Sequence, residues 1–434
     1  MTFNPLKEKG IALDKQLRCW HDIVKRPFDK HKIDCYSRTR QILMNGIEVE
    51  AWGFKHSFAR FCDDIELVKL LAEIRRIEDT QQTTVNWMTP AEQSVLETTL
   101  GYEQVAVDLT AWLAQNEPDD YVRETLNFGL LEDFDHLYRY AQWAYMIHGI
   151  NPNNILHEQT DVLIGRPTQN HHNDNKIRVR NHYDKNTASP QTKVNILTVL
   201  SGEQQTHNFY AEHGMMYGND DVRRLYGEIC DVEEEHVSMY ESLIDPTETM
   251  FEKLLLHEFT EACTYYNCYK DEQDDQLKLI WEEFLAFELE HLKIAADLIK
   301  KHEKRDPEEI IGNTILEPCH FENQKEYVAD ILLNEVDKRL DGEDKNNYSY
   351  IENLPDDWAS YKTQKIMSSQ GAPSEKAIQL IRTSIGRDLV YADNKLAKKQ
   401  PDLLAKGLED IAQAPDTVPV ETYQEMLDIK MIDL

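Results

Sequence analysis

The sequence predicts an all-helical protein, and three observations lead to this fold class. Glycine and proline are sparse, at 16 and 15 of 434 residues. Most of the chain has the apolar periodicity of amphipathic helices, and the alternation typical of strands is hard to find. A helix–turn–helix pattern also occurs three times with the same internal spacing. We therefore expect a helical bundle with helical N- and C-terminal extensions.

The predicted elements follow one another in a simple order, with the bundle spanning 89–302. An N-terminal helical extension leads into a first hairpin, a crossover loop, a second and a third hairpin, and a C-terminal helical extension of unknown role: 1–88, 90–149, 151–188, 190–244, 246–302 and 303–434. The crossover loop is polar, lacks periodicity and is long for a loop inside a compact domain. Loops of this kind are usually functional or mobile.

Each hairpin is predicted to begin at a cap residue followed by proline, because proline fits the first helical turn. The three pairs are Thr89–Pro90, Ser189–Pro190 and Asp245–Pro246. Two of them also predict capping boxes, with Glu92 and Glu248 as the glutamates.

Composition restricts the class of partner. The chain carries 79 acidic and 47 basic residues, a net charge of -32, and 41% of its residues are hydrophobic. A field of this sign argues against nucleic acid or an anionic membrane as a partner and favours metal ions. We find no apolar signal segment and no apolar run long enough to span a membrane, which predicts a soluble protein. Seven scattered cysteines without a CxxC pair predict reduced thiols and a cytoplasmic location.

The repeated pattern places the same chemical groups in each hairpin. A glutamate on the first helix is followed 30 residues later by a carboxylate and 33 residues later by a histidine. The three sets are Glu103 with Asp133 and His136, Glu203 with Glu233 and His236, and Glu258 with Glu288 and His291. A polar turn lies midway, so the chain returns to the same height, and residues three apart share one helix face. Each hairpin therefore offers two carboxylates and an imidazole at one level.

These groups interrupt apolar stripes and are expected to point inward. A buried carboxylate must be paired or bind a metal, because desolvating it alone is too costly. In the stretch "VEEEHVSMYESLIDP", Glu233 and His236 are expected to face inward, with Glu234 and Glu235 at the surface. Metal ligation is the favoured interpretation, and a buried salt-bridge network is the alternative.

The chain resembles the ferritin-like superfamily, nearest its rubrerythrin branch, and also uncharacterised bacterial ferritin-like proteins. The segments "SGEQQTHNFYAEHG" and "DVEEEHVSMYESL" carry the likeness most clearly, and it runs from about Gly46 to Asp306. The resemblance implies a di-iron carboxylate site in which the acid of each acid-x-x-His pair bridges two irons. The first glutamates would be terminal ligands, and each histidine would bind one iron.

This sequence departs from the family pattern in three ways. Asp133 replaces the usual glutamate, with Glu132 as the alternative bridging group. The electron-transfer cysteines of rubrerythrin are missing. There are also three half-sites, where one bundle needs two.

Connection lengths decide the predicted pairing. The loop between the first two hairpins is long enough to traverse a bundle, so these hairpins are expected to form the site within one chain. The connection at Asp245, between the second and third hairpins, is too short for such a crossover. The third hairpin is then either a decayed copy packed alongside or half of a site completed in a homodimer.

The function predicted on this basis is a protein binding two iron or manganese ions and acting as a redox enzyme on oxygen or peroxide. Zinc is an alternative metal. An iron-oxidising protein with a storage or buffering role, and a bundle whose metals only hold helices together, are the alternative functions.

Other residues near the pattern have two interpretations each. A packed core role is favoured over ligation or relay for His207 and for three tyrosines: Tyr102, Tyr210 and Tyr265. Glu261 is either an additional ligand or surface. Three histidines of the crossover loop are candidates for transient metal binding: His171, His172 and His182. Cys263 and Cys268 are expected to be buried packing residues.

Overall fold

The computed structural model describes residues 3–157, 159–160, 173–335, 338–340, 348–350, 354–374 and 376. In chain order the α-helices are α1 Trp20–Ile23, α2 Cys35–Arg60, α3 Ile65–Asn86, α4 Val95–Asn116, α5 Asp120–His148, α6 Asn153–Leu156, α7 Asn175–Arg178, α8 Pro190–His213, α9 Asp220–Glu241, α10 Met250–Asp271, α11 Asp275–His302, α12 Glu308–Ile311, α13 Lys325–Glu335 and α14 Ala359–Met367. Short 3-10 turns span Leu13–Lys15 and Gly214–Met216. The predicted all-helical class is confirmed, with one addition.

That addition is a small antiparallel strand pair near the C-terminus. Strand β1, Lys338–Leu340, pairs with β2, Tyr348–Tyr350. No helix of the described residues is both long and apolar enough to cross a membrane.

One of the three predicted helix starts is found and two are wrong. Helix α8 begins as predicted, with Pro190 in its first turn and the Ser189 side chain accepting from the Thr192 amide. Helix α4 instead begins after Ser94, which forms a capping box with Glu97. Thr89 lies before that start, where its hydroxyl accepts from Gln41 at 3.0 Å.

The third predicted start fails for a similar reason. Helix α10 is capped by Thr249, which forms its capping box with Glu252 in place of the predicted Glu248. The Asp245 carboxylate accepts backbone amides from Thr247 at 2.8 Å and Lys185 at 2.9 Å. It therefore closes a turn and is not available as a cap.

Among the described residues, eight long helices form two equivalent halves of the segment 35–302. Helices α2 to α5 recur as α8 to α11, and each residue of the first half lies 155 positions before its counterpart. The register holds for the starts of all four helix pairs. It also holds for the two capping boxes, since Ser94 and Glu97 correspond to Thr249 and Glu252. The sequence prediction recognised three repeated hairpins, whereas the structure has four.

The four hairpins pair into two four-helix bundles, each with one hairpin from each half. The first bundle contains α4, α5, α8 and α9, and the second bundle contains α2, α3, α10 and α11. Helix α2 also packs against α4 and α8, and α10 packs against α8. The two bundles are therefore in contact along a shared interface formed by these helices.

The second bundle corrects two expectations. Residues 1–88 are not a separate extension, because α2 and α3 lie within them. The third hairpin, α10 and α11, is neither an unpartnered copy nor dependent on a second chain, because α2 and α3 complete its bundle.

Candidate metal centres

The first cluster lies inside the first bundle and contains the six residues predicted for the intramolecular site. These are Glu103 and Glu203 from α4 and α8, Asp133 and His136 from α5, and Glu233 and His236 from α9. All six side chains are buried. The structure therefore brings the first and second predicted hairpins together, as the connection lengths indicated.

The six residues divide into two sets of three ligand atoms. Glu103, His136 and Glu233 offer atoms within 4.8 Å of one another, and Asp133, Glu203 and His236 do the same. In each set two residues come from one hairpin, and the third residue, a carboxylate, comes from the other. Each hairpin thus contributes one carboxylate to the ligand set of the other hairpin.

Several oxygens of the first cluster have no hydrogen bond to any described residue. They are Oε2 of Glu103, Oε1 of Glu203, Oε2 of Glu233 and both carboxylate oxygens of Asp133. A buried carboxylate oxygen without a partner is costly, so such groups normally face a cation or hold a proton. The cluster thus has the unsatisfied acceptors that a metal site requires.

Burial and mutual repulsion perturb these acids. Burial, followed by the nearby Glu233, raises the pKa of Glu103 well above its usual range. Burial and Glu203 do the same to the pKa of Asp133, although the nearby His236 opposes the shift. Burial also raises the pKa of Glu203 to about 8. A cation at this position would relieve both the desolvation and the repulsion.

A hydrogen bond fixes the orientation of one histidine. His236 Nε2 is 2.8 Å from Glu132 Oε2, and the carboxylate can only accept there. His236 Nδ1 therefore faces Glu203 at 3.3 Å and Asp133 at 3.4 Å. A histidine held by a carboxylate through one nitrogen, with the other directed at acidic groups, is the usual pattern of a metal ligand.

Arg178 supports this arrangement from the crossover segment, and the sequence analysis missed it. Its guanidinium donates to Glu132 at 2.7 Å and to Glu235 at 2.8 Å, and all three side chains are buried. Burial alone would raise the pKa of Glu132, but Arg178 and then His236 hold it well below its usual range.

Two expectations about these glutamates need correction. The prediction that Glu235 lies at the surface is wrong, because Arg178 and the Asn173 amide hold it inside. Glu132, considered as an alternative bridging group, is bonded to Arg178 and His236 instead. Asp133 is the α5 carboxylate that shares a ligand set with Glu203 and His236.

Tyrosines surround the first cluster. The Tyr210 hydroxyl donates to Glu103 Oε1 at 2.5 Å, so Tyr210 touches a candidate ligand. Its ring lies 5.1 Å from Tyr140 and 5.7 Å from Tyr226, and Tyr226 stacks on Tyr217 at 5.6 Å. Tyr102 instead stacks on Phe209 and is a packing residue, as favoured from the sequence.

The second cluster lies inside the second bundle. It contains the three predicted residues of the third hairpin, Glu258, Glu288 and His291, together with residues that the sequence analysis missed. The missed members are Glu48, Lys55, Glu78 and Gln81. Glu261, which the sequence offered as an additional ligand, also belongs to the cluster, and all five are buried. Glu78, Glu258, Glu288 and His291 offer ligand atoms within 4.8 Å of one another.

A sequence signal for the missing half existed. Glu78 and Gln81 follow Glu48 by the same 30 and 33 residues, but glutamine stands where the other hairpins have histidine. A search anchored on histidine therefore could not find it. Glu261, for which a surface position was an alternative, is inside the cluster.

The remaining candidates lie outside both clusters. His207 is half-buried, with Nε2 3.9 Å from the half-buried Glu234, and is not part of a ligand set. His182 is exposed, and its Nδ1 is 2.8 Å from the Tyr183 carbonyl oxygen. His171 and His172 lie outside the described residues. All seven cysteines are free, and Cys263 and Cys268 are buried packing residues as predicted.

Comparison with known proteins adds no relative. No protein-family model, no curated protein and no solved structure matches the chain.

Proposed function

We propose that the first cluster binds two metal ions, iron or manganese, and that the protein is a redox enzyme acting on oxygen or peroxide. The observation that carries this proposal is the pair of buried three-residue ligand sets, each mixing carboxylate and imidazole. Their uncompensated oxygens would be satisfied by two cations.

The donor set fits these metals. Carboxylate oxygen and imidazole nitrogen suit iron and manganese, and zinc accepts the same donors. Glu103 and His136 would hold one ion, and Glu203 and His236 the other. Glu233 would add a carboxylate to the first ion, and Asp133 would add one to the second. Bound there, the ions would supply electrons to a small oxidant.

The protein's own contribution is orientation and exclusion of water. The Arg178–Glu132 pair holds the His236 ring, with Nδ1 directed into the cluster. Tyr210 on α8 holds Glu103 on α4 by a hydrogen bond. Partners of ligands commonly change metal affinity by about 10- to 100-fold when they are removed.

Glu235 gives the cluster a connection to the surface. It pairs with Arg178 inside the protein and also lines a surface cavity of about 900 Å³ between α9 and α14. The chain Glu235, Arg178, Glu132 and His236 therefore runs from that cavity to a candidate ligand. This chain of hydrogen bonds connects the surface cavity with the candidate ligand His236.

The proposal is tested by metal content and by reactivity. Protein reconstituted with Fe²⁺ without oxygen is compared with His136→Gln/His236→Gln, and His207→Gln serves as a control outside the cluster. We expect the double variant to lose two ions and the control to lose none. Equal metal content in folded wild type and double variant would reject the site.

Oxygen and peroxide consumption by the reduced protein then separates the functional alternatives. Consumption that disappears in the double variant supports the redox enzyme. Metal bound without any consumption would instead favour ions that only hold helices together. A large multi-chain cage in solution would favour iron storage.

A further inference from the structure

The two clusters occupy equivalent places in the duplicated chain but differ at several positions, among them Asp133 with Glu288 and Ala106 with Glu261. Two further differences replace one kind of chemical group by another. Tyr210 of the first cluster corresponds to Lys55 of the second, and His236 corresponds to Gln81. The Tyr210 hydroxyl contacts Glu103, and the Lys55 ammonium contacts Glu258, which is the counterpart of Glu103. A neutral hydroxyl is thus replaced by a cation, and an imidazole is replaced by an amide.

The Gln81 amide fills one half of the second cluster with hydrogen bonds. Its Nε2 donates to Glu48 Oε1 at 3.1 Å and to Glu288 Oε1 at 2.8 Å. The Tyr265 hydroxyl also donates to Glu48. These donors stabilise Glu48 and Glu288. Gln81 and Glu48 occupy the positions of His236 and Glu203 in the first cluster, so this side of the second cluster has no imidazole to bind a metal.

Lys55 supplies a positive charge at the centre of the second cluster. Its buried Nζ is 2.9 Å from Glu258 Oε1 and also contacts Glu78 Oε1. A buried ammonium needs paired carboxylates, and these two pairings satisfy that need. The first cluster has no lysine or arginine at the corresponding position.

The charge of the second cluster is still not balanced. Five buried carboxylates surround one lysine and one histidine: Glu48, Glu78, Glu258, Glu261 and Glu288. Both oxygens of Glu261 lack a hydrogen bond to any described residue, and its closest ion pair, to Lys55, is 3.7 Å long. One further cation is therefore required, or some of these acids must hold protons.

The orientation of His291 shows where that cation would bind. Gln16 Nε2 donates to the Ile11 carbonyl oxygen at 2.8 Å, which fixes its Oε1 as the atom facing His291 Nε2 at 2.7 Å. Nε2 must therefore carry hydrogen. His291 Nδ1 then faces only carboxylates, with Glu288 at 3.1 Å and Glu258 Oε2 at 3.8 Å. A lone pair directed at acceptors is stable only with a proton or a metal between them.

We propose that the second cluster binds one divalent metal ion through Glu78, Glu258, Glu288 and His291, with the Lys55 ammonium in place of a second ion. Glu258 serves both cations, because Oε1 faces Lys55 and Oε2 faces His291. The oxygen-rich set with one imidazole suits Mn²⁺ or Fe²⁺. The first and second clusters share no ligand, so this site does not depend on the proposed redox function.

The test uses Mn²⁺ as the probe, in the full chain carrying His136→Gln/His236→Gln. We expect one Mn²⁺ per chain, with the paramagnetic resonance spectrum of an isolated ion. Adding Glu258→Gln/His291→Gln should reduce the content to zero. The exposed Glu282→Gln and His302→Gln on α11 form the matched control and should leave it at one.

A second measurement tests the role of Lys55. In the same background, Lys55→Tyr/Gln81→His introduces the tyrosine and the imidazole of the first cluster, and we expect two Mn²⁺ with a magnetically coupled spectrum. The proposal is overturned if the starting background binds no Mn²⁺, or if it already binds two with Lys55 intact. If wild type binds a single ion, and only the Glu258 and His291 changes remove it, the metal site in the first cluster is rejected and the site in the second cluster is retained.

Discussion

Gly46 of α2 lies against Ser201 of α8, and these two residues are equivalent positions of the two halves. A Cβ on Gly46 would be 2.7 Å from the Ser201 carbonyl oxygen and 2.6 Å from Gln205 Cδ. In a two-fold arrangement a residue meets its own counterpart only at the axis. The approximate two-fold axis that relates the two halves therefore passes between α2 and α8, at the interface of the two bundles.

Gly46→Ala should destabilise the protein by about 1–3 kcal/mol, because the added methyl group forces two tightly packed helices apart. Urea denaturation measures the change. Gly53 lies on the same helix with open space where its Cβ would be. Gly53→Ala should therefore stabilise the protein by up to about 1 kcal/mol. Equal effects at the two positions would contradict the close contact.

Arg178→Met should cost about 3–5 kcal/mol, because it leaves Glu132 and Glu235 buried without their cation. If the variant folds, its metal affinity at the first cluster should fall by about 10- to 100-fold, since Glu132 no longer holds His236 in a defined state. Calorimetric titration with Mn²⁺ measures the affinity. Arg224→Met, at an exposed pair with Asp221, should change neither quantity by a comparable amount.

Tyr210→Phe should lower metal affinity at the first cluster by about tenfold or more while leaving the fold intact, because Glu103 loses its hydrogen-bond donor. Tyr102→Phe is the matched control, since that ring packs on Phe209. The affinity of each variant for Mn²⁺ is compared with that of wild type. An unchanged affinity in Tyr210→Phe would show that Glu103 needs no support from this hydroxyl.

Asp108 should make stability depend on pH. It is buried on α4 and accepts from the Thr160 hydroxyl at 2.9 Å, and burial raises its pKa to about 8. Because the folded state keeps a proton that the unfolded state releases above its pKa of 3.8, stability is greatest at low pH and is lost as pH rises towards 8. The contribution is up to about 1.4 kcal/mol per pH unit.

Asp108→Asn keeps an oxygen to accept from Thr160 but cannot ionise. Its unfolding free energy should therefore fall less than that of wild type between about pH 5 and about pH 8. Urea denaturation of both proteins at each pH gives the two slopes. Parallel slopes would mean that Asp108 ionises as readily in the folded state as in the unfolded one.

The parts predictable from sequence are those that depend on local spacing. The interval from Glu103 to His136 determines which groups return to the same height of a hairpin, and the structure has those groups together. The start of α8 was also predictable, because Ser189 and Pro190 act within one turn. Asp245 and Pro246 carried the same local signal, but the amides of Thr247 and Lys185 occupy the carboxylate.

Other parts depend on contacts that spacing does not reveal. Glu235 appeared to be on a solvated face because its partner, Arg178, comes from a loop without periodicity. Gln81 has the right interval but the wrong side chain, so the fourth hairpin was not recognised. The pairing of α2 and α3 with α10 and α11 joins distant parts of the chain, and no local pattern specifies such a pairing.

The exchange of hairpins between halves sets an order for assembly on the ribosome. Synthesis proceeds from the N-terminus, so α2 and α3 emerge first, yet their bundle is completed only when α11 ends at His302. The first bundle can close earlier, once α9 ends at Glu241. Helix α2 can already pack against α4 and α8 by then, but Glu48 and Glu78 on the earliest helices wait for α10 and α11 to complete their cluster. The second cluster is therefore the part of the two-bundle core that remains incomplete longest while translation continues.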